Sequence, residues 1–188
     1  INLSQGFPGC EPPEEILKRL AEVLREDFHQ YSITWGAQNF REALAEKQKQ
    51  FMGVDIDPDK EIVVTCGSTE AMMASMMTIA DPGDKVIVFS PFYENYGADT
   101  ILSGAEAVYV PLNPPEFDFD TEALENAFKQ GAKAIILCNP SNPSGKVFSR
   151  SEHQTIADLA VKYDAYVITD EVYEHIVYDP YEHVYMYS

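Results

Sequence analysis

Five short β-branched runs constrain this chain more than any other feature: Ile62-Val63-Val64-Thr65, Val86-Ile87-Val88-Phe89, Ala107-Val108-Tyr109-Val110, Ala134-Ile135-Ile136-Leu137 and Tyr166-Val167-Ile168-Thr169. Several are apolar at consecutive positions, so both faces need cover, as in a parallel sheet clothed by helices. Amphipathic segments of helical length lie between them. The spacing predicts helices over 69–80, 121–129 and 149–163. The last opens on a capping box, Ser149 with Glu152, and carries Ile156, Leu159 and Tyr163 on one stripe. Strands alternating with helices give an α/β fold with right-handed crossovers.

The first fifty residues read differently. Pro12-Pro13 starts a helix with Glu14 and Glu15 in its positive first turn. Ile16, Leu20, Leu24 and Phe28 keep a four-residue beat on one face. A second helix is expected near 39–51, with Phe40, Leu44 and Phe51 inward. Residues 111–119 read as a proline-rich surface loop.

Composition narrows function. Thirteen Lys plus Arg against thirty-one Asp plus Glu leave a net charge of −18, which excludes a non-specific nucleic-acid binder and opposes docking on anionic membrane. No apolar run reaches the ~18 residues that a transmembrane helix needs. Cys10, Cys66 and Cys138 show no CxxC spacing, so neither a disulfide framework nor a zinc site is expected, and the expected compartment is the reducing cytoplasm. The opening Ile1-Asn2-Leu3-Ser4 lacks the form of a signal peptide. A start without Met and an end at Tyr187-Ser188 suggest a fragment.

Four strand-end motifs can carry chemistry. Thr65-Cys66-Gly67-Ser68-Thr69-Glu70 joins a strand to a helix start, where unpaired N–H groups, the dipole and two hydroxyls suit a phosphate; an ordinary capped helix reads equally well. Asn139-Pro140-Ser141-Asn142-Pro143-Ser144-Gly145 sits where open α/β sheets bind ligands, although turn chemistry alone accounts for its composition. Thr169-Asp170-Glu171-Val172-Tyr173 places two acids at a strand end. Asp170 there can receive a cationic ring nitrogen, with the Tyr173 hydroxyl turned to the same ligand, or it can cap a helix. In Pro91-Phe92-Tyr93-Glu94-Asn95-Tyr96 an aromatic can stack on a planar ligand or simply pack in the core. GxGxxG, GxxxxGK[ST], GxSxG and HExxH are all absent. His175 and His183, in a tyrosine-rich tail, read as surface residues, and no metal site is expected.

The order and spacing of Ser4-Gln5-Gly6-Phe7-Pro8, Tyr31 with Gly36 and Arg41, Gly67-Ser68-Thr69-Glu70-Ala71, Pro91-Phe92-Tyr93, Asn142-Pro143-Ser144-Gly145 and Asp170-Glu171-Val172-Tyr173 resemble the class I/II aminotransferases of pyridoxal 5′-phosphate (PLP) fold type I. The start resembles the kynurenine, methionine and glutamine members. The resemblance runs the length of this chain but covers only the N-terminal half of such an enzyme. It implies an incomplete fold type I domain: a mostly parallel sheet with flanking helices, lacking the C-terminal half. Residues 1–35 would be an arm and part of the small domain, and 36–188 the PLP-binding large domain.

The resemblance also implies roles. Gly67, Ser68 and Thr69 would hold the PLP phosphate and Tyr93 would stack on the ring. Asn142 and Tyr173 would hydrogen-bond the ring's 3′ oxygen. Asp170 would pair with the ring nitrogen and keep it protonated, so that the ring draws electrons from the substrate carbanion. Asp170 and Tyr173 are thus the catalytic candidates, Gly6 and Asn142 would face substrate, and Tyr31 would reach the cofactor of a partner subunit in a homodimer. The parent reaction would move an amino group from an L-amino acid to a 2-oxo acid, a step of amino acid metabolism. A PLP-dependent carbon–sulfur β-lyase and a non-catalytic PLP-binding fragment are the alternatives. The family's Schiff-base lysine has no match here: the last Lys is Lys162 and the last Arg is Arg150. The 188-residue chain alone is therefore expected to be inactive. The absent half would also supply two strands between the run at 166–169 and the run at 62–65.

Overall fold

The computed structural model describes residue 6 and residues 9–187. Among them, β1 (Lys85–Ser90), β2 (Glu106–Asn113), β3 (Asp118–Phe119), β4 (Ala132–Cys138) and β5 (Tyr166–Asp170) form one sheet in the order β3-β2-β1-β4-β5. β1 pairs in parallel with β2 and with β4, and β4 pairs in parallel with β5, with Ile135 opposite Val167 and Cys138 opposite Asp170. β3 is antiparallel to β2.

The consecutive apolar runs do cover two faces. Val86, Val88, Ala134, Ile136 and Cys138 pack with Met72 and Met76 of α3 (Gly67–Ile79) and Tyr96 of α4 (Asn95–Leu102). The alternate residues Ile87, Phe89, Ile135 and Leu137 pack with Leu124 and Phe128 of α5 (Thr121–Lys129) and Ile156 and Leu159 of α6 (Arg150–Lys162). Helices therefore cover both sides of the sheet, as the continuous burial along β1 and β4 requires. The capping box of α6 is present: Ser149 Oγ accepts from the Glu152 N–H at 3.3 Å, and the Ser149 N–H donates to Glu152 Oε2 at 2.8 Å. Asp120 caps α5 by accepting from the Glu122 N–H at 2.8 Å.

Three sequence expectations are corrected. Residues 62–65 do not form a strand; no described strand lies beside them, and the Val64 N–H donates to Trp35 O at 2.9 Å instead. Gly36 is what lets that segment approach: at φ +103° it sits so close to Val64 that a Cβ would lie 2.4 Å from Val64 Cγ2. Residues 111–119 are not simply a loop, because the two-residue alternation of Val110 and Leu112 carries β2 past Pro111 and Leu112 pairs with Phe119. Finally, the leading helices do not bury their apolar stripes. α1 (Glu14–Val23) buries no residue and ends before Leu24 and Phe28, while Phe40 and Phe51 of α2 (Gln38–Met52) remain about half exposed. α2 is anchored by Arg41 instead, whose buried guanidinium donates to Gly36 O at 3.1 Å, to Asp59 Oδ1 at 2.8 Å and to Pro58 O. No helix among the described residues is long and apolar enough to cross a membrane.

Candidate functional site

The parallel strands β1, β4 and β5 end on one edge, and the loops leaving that edge carry the Pro91-Phe92-Tyr93, Asn139 to Gly145 and Asp170 to Tyr173 segments. Asp170 is the last residue of β5 and is half-buried. Its Oδ2 accepts from the Tyr96 hydroxyl at 2.7 Å and its Oδ1 from the Val172 N–H at 3.3 Å. It caps no helix, because residues 172–175 form turns. Burial pushes the Tyr96 phenol far above its ordinary range, reinforced by Cys138 and Asp170, so the hydroxyl keeps its proton and acts as donor.

α4 ties this carboxylate to the start of α3. Tyr93, just ahead of α4, packs edge-on against Tyr96, ring centroids 5.8 Å apart, and Asn95 Nδ2 donates to Thr69 Oγ1 at 3.1 Å. At that start Gly67 has φ +80° with open space where a Cβ would stand, and Gly67, Ser68 and Thr69 are all exposed. α3 has no side-chain cap at its N-cap residue, Cys66, whose N–H is taken by the Glu70 carboxylate. The Gly67 N–H donates to Thr65 O at 2.8 Å, and the N–H groups that follow it in the first turn stand at the positive end of the helix, where an anion is favoured. The capped-helix alternative is thus not realised.

The structure brings Gly67, Ser68, Thr69, Tyr93, Asn142, Asp170 and Tyr173 to the loops of this edge and the adjoining start of α3. The Asn142 amide and the Tyr93 and Tyr173 hydroxyls are half-buried and have no hydrogen-bond partner among the described residues. Tyr31 is fully exposed and meets none of them. Gly6 is exposed with nothing within 4 Å of where a Cβ would stand, and Ser4, Gln5, Phe7 and Pro8 lie outside the described residues.

Two residues to which the motifs gave no role of their own organise the site. Tyr96 is one. Asn139 is the other: its buried amide accepts from the Phe148 N–H at 3.0 Å and donates to Val184 O at 3.2 Å, tying the Asn-Pro turn to the segment after β5. That orientation places the two-proton Nδ2 3.4 Å from His153 Nε2 and 3.5 Å from His183 Nδ1. His183 is half-buried rather than a surface residue, and its Nε2 is buried with no hydrogen-bond partner among the described residues. Ligand atoms of Glu171, Glu174 and His183 lie within 4.8 Å of one another. Burial, and next the charge of Glu174, raise the Glu171 carboxyl to about 7.

Lys146 is the lysine closest in sequence to this edge. It is committed elsewhere, to Asp118 and Glu152 at 2.8 Å each. Burial pulls its pKa down, but those two carboxylates outweigh it and hold the amine above its ordinary value. Lys85 and Lys133 stand at the starts of β1 and β4, the opposite edge.

The family model described as aminotransferase class I and II matches residues 1–186. The chain is 38% identical to a probable N-succinyldiaminopimelate aminotransferase of Mycobacterium tuberculosis, over 98% of this chain and 47% of the relative. It is 38% identical to kynurenine–oxoglutarate transaminase 3 of Mus musculus, over 98% and 43%. The crystal structure of YbdL from Escherichia coli, whose reactivity identifies a methionine aminotransferase function, superposes with a TM-score of 0.94 at 35% identity, over 98% of this chain and 49% of that one. The chain spans about half the length of the curated relatives it matches.

Proposed function

Because the chain belongs to the class I and II aminotransferases, we propose that it carries the cofactor-binding part of an enzyme moving an amino group from an L-amino acid to a 2-oxo acid. The family is PLP-dependent, and the residues present fit that group: an exposed helix start with two hydroxyls at one end, a fixed carboxylate at the other, and amide and phenol groups without partners among the described residues between. When bound, PLP supplies an electron sink for the negative charge that develops at the amino acid's α-carbon. Gly67, Ser68 and Thr69 would bind its phosphate through backbone and hydroxyl donors. Asp170 would hold the proton on the ring nitrogen, Tyr93 would stack on the ring, and Asn142 and Tyr173 would donate to the ring's 3′ oxygen. Gly6 and Asn142 would border the substrate.

The observation that carries this reading is the Asp170 carboxylate, fixed by Tyr96 at the sheet edge, with the open N-terminus of α3 tied to the same turn of α4. In this reading residues 1–35 serve as an arm and part of the small domain, and 36–188 as the large domain. In the same reading the lysine that anchors the cofactor belongs to the part of the enzyme that this chain does not span; Lys146 is held by two carboxylates. Tyr31, fully exposed, would reach the cofactor phosphate of a partner subunit in a homodimer. The free, widely separated cysteines support a cytoplasmic location.

The test uses the whole protein with PLP and a panel of L-amino acids and 2-oxo acids. A new amino acid formed in step with a new 2-oxo acid supports the proposal. Pyruvate and ammonia from a sulfur-containing amino acid would instead establish a β-lyase.

A further inference from the structure

We infer that Tyr96 is a positioning residue for the cofactor: its hydroxyl pins one oxygen of Asp170 so that the other is presented to the ring nitrogen. The inference rests on the assignment of Asp170 above and adds to it a role toward that carboxylate for Tyr96, the last residue of the Pro91 to Tyr96 motif.

The geometry is specific. Tyr96 is only 3% exposed and is packed among Met72, Met76, Val88 and Ile136, so its ring has one place to stand. Its backbone is held in the helix, its carbonyl accepting also from Thr100 Oγ1 at 2.7 Å. From that fixed platform the hydroxyl reaches Asp170 Oδ2 at 2.7 Å across 74 residues of sequence. A carboxylate at a strand end is otherwise free to turn about two side-chain torsions, and its other contact within the protein is the 3.3 Å bond from the Val172 N–H. An anion that must meet a cationic nitrogen in one direction gains from a donor that removes that freedom beforehand, because orientation set by the protein need not be set by the ligand. A hydrogen bond to a charged acceptor is also among the stronger ones.

The experiment is a double-mutant cycle in the whole protein, using pyridoxine 5′-phosphate as probe because it has the phosphate and the ring nitrogen but no aldehyde to react with lysine. Tyr96→Phe keeps the ring and its packing and removes only the hydroxyl. It should weaken probe affinity about tenfold, as expected for loss of a bond to a charged group. It should also lower by about one unit the pH at which the bound ring nitrogen loses its proton, read from near-ultraviolet absorbance. In an Asp170→Ala background the same change should do neither. If Tyr96→Phe leaves both readouts unchanged, or weakens binding equally with and without Asp170, the inference falls and the role of Asp170 stands. If Asp170→Ala alone leaves probe affinity unchanged, the assignment of Asp170 falls and takes this inference with it.

Discussion

On the proposed role of Asp170 as the anion that holds the ring nitrogen's proton, replacing it by Ala in the whole protein should cost catalysis roughly a thousandfold, about 4 kcal/mol of transition-state stabilisation. Turnover near wild type in the purified variant would remove Asp170 from the mechanism. Its neighbour Glu171 gives a different, pH-dependent signal. Burial and then the charge of Glu174 raise its carboxyl from 4.5 to about 7. Between those values the folded protein holds a proton that the unfolded chain has already released, so stability falls as pH rises through the window and the loss is complete above about 7. Glu171→Gln should remove that fall, gaining about 1–2 kcal/mol on wild type between pH 5 and 8 because the half-buried carboxylate escapes part of the burial cost. Melting temperatures of both proteins at the two pH values check this. Parallel curves would show that Glu171 does not titrate there. Legibility at this scale divides by distance. Asp170, Asn142 and Gly67 were readable because a strand end or a helix start is written in adjacent residues. The bonds that Tyr96, Asn139 and Arg41 make were not, since their partners stand 74, 45 and 18 residues away.

Among the elements, helices with local punctuation were legible almost to the residue: α5 spans the segment read from its sequence and α6 keeps its capping box. The run at 62–65 failed because a strand is defined by its neighbour, and β propensity cannot supply one. The stripe on α1 was legible as a periodicity but not as burial, for burial depends on a surface elsewhere. The start of α3 is the element with the plainest expected role. Changing Ser68 and Thr69 together to Ala should weaken PLP retention in the whole protein about tenfold or more while moving the melting temperature of the cofactor-free form little, since neither hydroxyl caps the helix. Unchanged retention with a lower melting temperature would assign both hydroxyls to folding alone.

For the molecule as a whole, the two-faced alternation along β1 and β4 was enough to foresee a sheet with helices on both sides. The order of strands was not, because parallel neighbours are joined through crossovers rather than by adjacency in sequence. The placement of the lysines bears on activity at the same scale. Lys146 is paired with two carboxylates, and Lys85 and Lys133 begin strands at the far edge. Residues 1–188 expressed alone, mixed with PLP and reduced with borohydride, should therefore yield no stoichiometric adduct on a single lysine and no amino-group transfer. A single modified lysine with transfer activity would mean that this stretch suffices for the reaction.

The place of β1 has a consequence for how the molecule breathes. It lies between β2 and β4, its ladder satisfied on both sides, and Val86, Ile87 and Val88 have no exposed surface at all. Fraying from an edge reaches β3 or β5 first, and the exposed α1 can open without disturbing the sheet. The amide protons of β1 thus exchange with solvent water only through the largest openings available to the fold, and their exchange rates measure global unfolding, whereas those of α1 record local opening.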